Sequence, residues 1–342
     1  MRILGWLLLA VCLLLVSAGG AAWVIYTRAH EAYQGYAGGE QFVEVPAGAG
    51  PAAIGRRLVD AGVVRDALTF RVAVAVSGRA RDLKAGEYRF DQPISAVAVV
   101  ERIARGDVYR RLLTFREGLT IEEMARVYEA RGFGDADAFL AAARDPAPVA
   151  ALDPAAQDLE GYLFPETYAL ARRTPAAELV RTMVSHFERA FDQSLRAEAE
   201  AQGLTVRQVV TLAALVEKET ARAEERPIVA AVYRNRLRIG MGLQADPTVI
   251  YALQRAGRYT GNLTRADLQF DSPYNTYRYA GLPPGPIAAP GRASIEAVVR
   301  PADVTYLYFV SRNDGSHVFA ETLAEHNRNV REWQVLYFRK QR

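Results

Sequence analysis

The chain has a single cysteine, Cys12, in 342 residues. That excludes an intramolecular disulfide and any zinc or iron–sulfur site built from several thiolates. Histidine is also scarce, with only His30, His186, His317 and His326. His317, His326 and Asn327 lie close in sequence, but their spacing lacks a third ligand, so no metal is expected. Lysine occurs three times among 42 basic residues, a coding bias rather than a functional signal. Charge of one sign is missing too: 39 acidic residues leave a net +3, and no basic run carries interleaved aromatics. No nucleic-acid partner is therefore expected. With half its residues apolar and 24% charged, the chain is neither disordered nor collagen-like, and it has ample material for a core.

The amino terminus carries an uncharged run from Ile3 to Tyr26, rich in Leu, Val and Ala. Roughly 20 apolar residues cross a bilayer core of about 30 Å. Trp6 near one end and Trp23 with Tyr26 near the other suit the two interfaces. A cleaved signal peptide would use the small residues Ser17 to Ala22, but apolar sequence resumes at Trp23, which favours an uncleaved anchor. So short a leader places the amino terminus inside and the body outside. Residues 1–27 are thus expected to be a transmembrane anchor, and 28–41, Gly-containing and aperiodic, a tether.

The body is expected to be α+β. Residues 42–110 form a small module: a strand at Phe42–Pro46, a helix through Ile54 and Leu58 ended by Gly62, a second helix from Ala67, a strand to Phe90, and a helix capped by Ser95 and stopped by Gly106. Residues 111–158 form a second small α+β segment and linker, in which Leu113–Phe133 echoes the order of residues 43–63. Residues 159–342 form a helix-rich domain with a β-hairpin. In it Thr205 and Gln208 make a capping box that opens a helix to about Ala221. Another helix follows Pro227, and a third is capped by Asp246 and opened by Pro247. Gly281–Gly291 is too rich in Pro and Gly for regular structure, and Asn313–Gly315 turns the hairpin.

On the helix from Thr205, Glu217 has Ala213, Ala214, Thr220 and Ala221 three and four residues away, so it points along a small, apolar face. A carboxyl desolvated there would hold its proton near neutrality and serve as a general acid. A structural Glu paired with a distant Arg fits the helix better, so the pattern alone does not identify a catalyst. Glu219, with Arg222 three residues on, is expected to stay ionised on a wet face.

Longer motifs narrow the choice. Leu212–Leu253 (LAALVEKETARAEERPIVAAVYRNRLRIGMGLQADPTVIYAL), Tyr274–Ala297 (YNTYRYAGLPPGPIAAPGRASIEA), Leu159–Tyr168 (LEGYLFPETY), and Tyr306–Val310 followed by His317–Asn327 stand in the order of the endolytic murein transglycosylases. The chain resembles this YceG-like family from about residue 42 to 335. The resemblance implies a LysM-like module over 42–110 and a catalytic transglycosylase domain over 159–342. The implied activity is cleavage of MurNAc-β-1,4-GlcNAc bonds in nascent peptidoglycan to 1,6-anhydro ends, without water as nucleophile. The implied place is the outer side of a bacterial cytoplasmic membrane, with peptidoglycan synthases as candidate partners and no cofactor. The family's catalytic Glu falls on Glu217, which would protonate the leaving oxygen and then take the proton of the MurNAc 6-hydroxyl. Tyr277, Asn275 and Gln244 are candidate substrate-binding residues. Glu160 and Glu166 are alternative acids with structural roles as the plainer reading, and Asn235 and Arg236 either line the groove or pair within the core. The competing functions are a muramidase-type hydrolase, with Asp246, Glu219 or Glu225 as second carboxylate, and a non-catalytic peptidoglycan-binding recruiter of synthases.

Overall fold

Apolar periodicity sets most of the element map. The structure, a computed structural model, describes residues 2–172 and 174–340. The chain divides into two compact units, Met1–Arg111 with Ala169–Arg173, and Leu112–Tyr168 with Thr174–Arg342.

The first unit contains α1 (Arg2–His30), β1 (Ala32–Tyr33), β2 (Gln41–Val45), α2 (Pro51–Asp60), α3 (Ala67–Ser77), β3 (Gly86–Phe90), β4 (Ile94–Ser95) and α4 (Ala96–Arg105). Antiparallel β2 and β3 pair from Gln41 opposite Phe90 to Val45 opposite Gly86. Alternation turns Val43, Val45, Tyr88 and Phe90 inward, onto Ile54 and Leu58 of α2, Phe70 of α3, and Val99, Val100 and Ile103 of α4. Gly55 is needed where α2 meets α3: a Cβ there would stand 2.6 Å from the Phe70 ring. Ser95 caps α4 by accepting from the Ala98 N–H, and Gly106 ends it in the left-handed region.

Within α1, Val11–His30 is long and apolar enough to cross a membrane. The helix does not stop where charge resumes. It runs through Arg28 to His30, Ala29 is fully buried in the core of the unit, and Ala32 and Tyr33 pair with Ser95 and Ile94. The expected tether over 28–41 is therefore partly helix end and partly strand. A small side chain at 29 lets the last turn of α1 pack closely, and aperiodic polarity in the sequence conceals that contact.

The second unit is entered along β5 (Arg111–Thr114), which pairs with β6 (Thr167–Leu170). Its helices are α5 (Ile121–Ala130), α6 (Ala136–Ala143), α7 (Ala176–Ala190), α8 (Gln193–Ala201), α9 (Val206–Glu219), α10 (Arg226–Arg238), α11 (Asp246–Arg255) and α12 (Arg292–Val299). The hairpin β7 (Tyr308–Ser311) and β8 (His317–Ala320) and the helix α13 (Leu323–Val330) follow. Residues 112–158 pack within this unit. The echo of 43–63 in 113–133 is visible: Ile54 and Met124 are both fully buried, and Gly62 and Gly132 both take left-handed φ.

The middle of the unit is α9. Thr205 and Gln208 make the capping box, and every side chain from Val209 to Val216 is buried. A helix apolar on all sides must be surrounded, and α8, α10, α11 and α12 pack around it. The helix ends at Glu219, with Thr220 already extended. Its polar end, Glu217 to Glu219, emerges where the starts of α10 and α12 converge.

Candidate active site

The Glu217 side chain is only 6% exposed. Its Oε2 accepts from the Gly291 N–H at 2.9 Å and from the Ser294 hydroxyl at 2.8 Å, and Oε1 accepts from Arg226 Nη2 at 3.2 Å. Gly291 is the N-cap of α12, so the carboxyl lies at the positive end of that helix's dipole. The apolar surround expected for Glu217 is therefore incomplete. Ala213 and Ala214 leave room beside it, and donors from α10 and α12 fill that room. Arg226 also keeps a buried Nε without a hydrogen-bond partner among the described residues.

A second carboxyl stands beside the first. Glu117, in the turn before α5, lies 3.5 Å from the same Arg226 Nη2. Burial raises its pKa, and the negative charge of Glu217 raises it further against the opposing Arg226. The turn is held firmly. Lys218 Nζ donates to the Gly118 carbonyl at 3.1 Å, the Gly118 N–H donates to Ala289 O, and the Ala289 N–H donates to Leu119 O, both at 2.8 Å. Glu117 escapes a sequence reading because it precedes a helix as an ordinary exposed residue would.

Glu219 corrects an expectation. It turns inward instead of facing water, and the Tyr233 hydroxyl donates to it at 2.7 Å. Burial pushes its pKa up to about 7, with the charge of Asp246 adding to the rise and the Tyr233 hydrogen bond, His317 and Arg236 opposing it. Asp246 is not a cap either. Ala245 is the N-cap, Asp246 is the first residue of α11, and its Oδ1 accepts from the Tyr277 hydroxyl at 2.5 Å. Burial and that hydrogen bond hold the Tyr277 phenol well above its ordinary pKa.

The other candidates divide sharply. Asn275 is fully buried; its amide donates to the Leu268 and Phe270 carbonyls and its oxygen accepts from the Tyr277 N–H. These bonds shape the loop that presents Tyr277. Gln244 is exposed and takes a left-handed φ of 48°, an unfavourable conformation for a residue with a Cβ. Glu160 is buried against the start of α5, accepting from the Ile121 N–H and the Tyr251 hydroxyl, and burial holds its pKa well above the carboxylate range. Glu166 pairs with His186. Glu225 accepts from the His317 N–H at 2.8 Å, pairs with its ring and receives the Thr220 hydroxyl. Asn235 and Arg236 donate to carbonyls of Val304, Tyr306, Leu307 and Leu243, tying α10 to the hairpin approach. His326 stacks on Tyr308. Among the described residues, no three His, Cys, Asp or Glu side chains converge as a metal site would require.

The YceG-like family profile matches residues 43–332. A Bacillus subtilis protein named endolytic murein transglycosylase is 31% identical over 302 residues, 84% of this chain and 82% of that one. A Streptococcus pneumoniae protein of the same name is 32% identical over 325 residues, and the matched region is 58% of its length. A crystal structure of a YceG-like protein from Listeria monocytogenes, 32% identical, covers 85% of this chain and 98% of its own with a TM-score of 0.58.

Proposed function

The chain belongs to the YceG-like family, and on that premise we propose that it is a membrane-anchored endolytic murein transglycosylase. It cleaves MurNAc-β-1,4-GlcNAc bonds within nascent glycan strands and leaves 1,6-anhydro-MurNAc ends. Its body lies on the outer side of the bacterial cytoplasmic membrane, crossed by α1, where strands emerge beside their synthases. Residues 42–110 serve as a LysM-like module.

The observation that carries this reading is Glu217, a nearly buried carboxyl at the end of the core helix, addressed by Gly291, Ser294 and Arg226. Acid–base catalysis at a glycosidic bond needs such a fixed carboxyl within reach of the reacting oxygens. The MurNAc 6-hydroxyl is the nucleophile, so water need not be placed on the opposite face of the ring. Leaving oxygen and attacking hydroxyl lie on the same face. Tyr277 and Gln244, near the start of α11, are proposed to contact the sugar chain, and Asn275 to set the Tyr277 loop.

Mass spectrometry of glycan products from the full chain tests the reading. Anhydro ends, lighter by one water than reducing ends, are expected from the wild type. Glu217→Gln should lose activity by about 10²–10⁴-fold while melting normally. Reducing ends would mean a hydrolase, and intact strands a binding protein.

A further inference from the structure

Glu217 does not stand alone, and the geometry points to Glu117 as the acid of a two-carboxyl site: it protonates the leaving glycosidic oxygen while Glu217 takes the proton of the attacking hydroxyl. The inference rests on the proposed cleavage of glycan strands.

Four observations carry it. Both carboxyls share one nitrogen, Arg226 Nη2, at 3.2 Å from Glu217 and 3.5 Å from Glu117. They differ in access: the Glu217 side chain is 6% exposed and that of Glu117 46%. They differ in partners as well. Glu217 meets a guanidinium, a hydroxyl and a backbone N–H, a donor set that suits an acceptor of protons. Glu117 has its ion pair with Arg226, and burial together with the Glu217 charge favours its protonated form. Finally, Gly291 joins them physically. Its N–H donates to Glu217, and a Cβ on its Cα would lie 1.8 Å from Glu117 Oε1. Gly291 has ordinary extended backbone angles, so a side chain there would displace Glu117 and not strain the turn.

Side-by-side carboxyls suit this reaction. An inverting glycosidase separates its two carboxyls to admit water across the ring. Intramolecular attack by the 6-hydroxyl happens on the face that the leaving group vacates, so acid and base belong together. The protons balance. The C1–O4 bond breaks with its electron pair going to O4, which takes the proton of Glu117. The C1–O6 bond forms, and the hydroxyl proton passes to Glu217. One proton passed from Glu217 to Glu117, which meet at the same Arg226 nitrogen, restores the starting state, with no water consumed. Arg226 pairs with both carboxyls, and Lys218 holds the Glu117 turn through Gly118.

The test compares full-length Glu117→Gln and Glu217→Gln in detergent on two substrates: a natural glycan strand, and a MurNAc-terminated oligosaccharide carrying 2,4-dinitrophenol as leaving group. Dinitrophenol departs without protonation. Glu117→Gln is expected to lose about 10²–10⁴-fold on strands and to come within about tenfold of wild type on the activated glycoside, whereas Glu217→Gln stays impaired on both. Equal loss on both substrates would mean that Glu117 only holds Arg226 in place, and would overturn the inference, as would wild-type activity of Glu117→Gln on strands. If Glu117→Gln does not fold, Glu117→Asp, which keeps an acid but withdraws it by one methylene, is read against the same two substrates. A wild type that cuts no strand would remove the functional reading and this inference with it; cleavage by the wild type without rescue of Glu117→Gln removes the inference alone.

Discussion

Glu219 holds its proton more tightly than its sequence neighbours suggest, and that has a consequence for stability. Its folded pKa of about 7 exceeds the ordinary 4.5, so between these values the folded chain binds more protons than the unfolded one. The stabilisation is fully present below pH 4.5 and is lost as pH rises through 7. From this group alone the wild type should lose about 3 kcal/mol between pH 4.5 and pH 8. Glu219→Gln, which still accepts from Tyr233, should flatten that decline in urea midpoints taken at both pH values; an unchanged slope would show Glu219 ionised throughout. Gly291→Ala makes a second case. The methyl group meets only the flexible end of Glu117, so melting should shift by less than about 1 kcal/mol while strand cleavage falls sharply. In a Glu117→Ala background the same substitution should cost no further activity, because nothing is left to displace. The helix pattern leaves Glu217 either an acid on an apolar face or a structural Glu paired with an arginine, and the structure shows the pairing, with Arg226. Arg226, Gly291 and Ser294 reach it from other elements, as Arg226 reaches Glu117 across 109 residues, and spacing on one helix cannot show such meetings.

Elements were far more legible than the site. Ser95, Thr205 and Gly106 act at helix ends as their side-chain chemistry dictates, and Asn313 and Gly315 take positive φ in the hairpin turn. These are local signals, readable without the rest of the chain. Asp246 misled because a helix-start residue has two uses for its carboxylate, and a phenol 31 residues away took it. Capping also gives a quantitative expectation. Thr205→Ala removes the acceptor for the Gln208 N–H and should cost about 1 kcal/mol, seen as a lower melting temperature. Because α9 is held along its whole buried length, the products should be unchanged. A shift toward reducing ends would mean that the cap controls the carboxyl as well as the helix.

At the scale of the whole molecule, the α+β class and the apolar amino-terminal helix were readable from composition and periodicity, while the burial of Ala29 was not. A chain that starts at residue 23 keeps the last turns of α1 and Ala29 in the first unit; one that starts at residue 31 does not. Both should leave the membrane fraction. The shorter should melt lower by on the order of 1 kcal/mol in differential scanning calorimetry, and equal melting would show that Ala29 packs without contributing. The continuity of α1 has a further consequence. Its 29 residues make a rod about 43 Å long against a bilayer core of about 30 Å, and the far end is embedded in folded protein. Such a connection works as an axle and not as a leash. In the proposed anchored protein the first unit would turn with its helix in the plane of the membrane and could not reel outward to search.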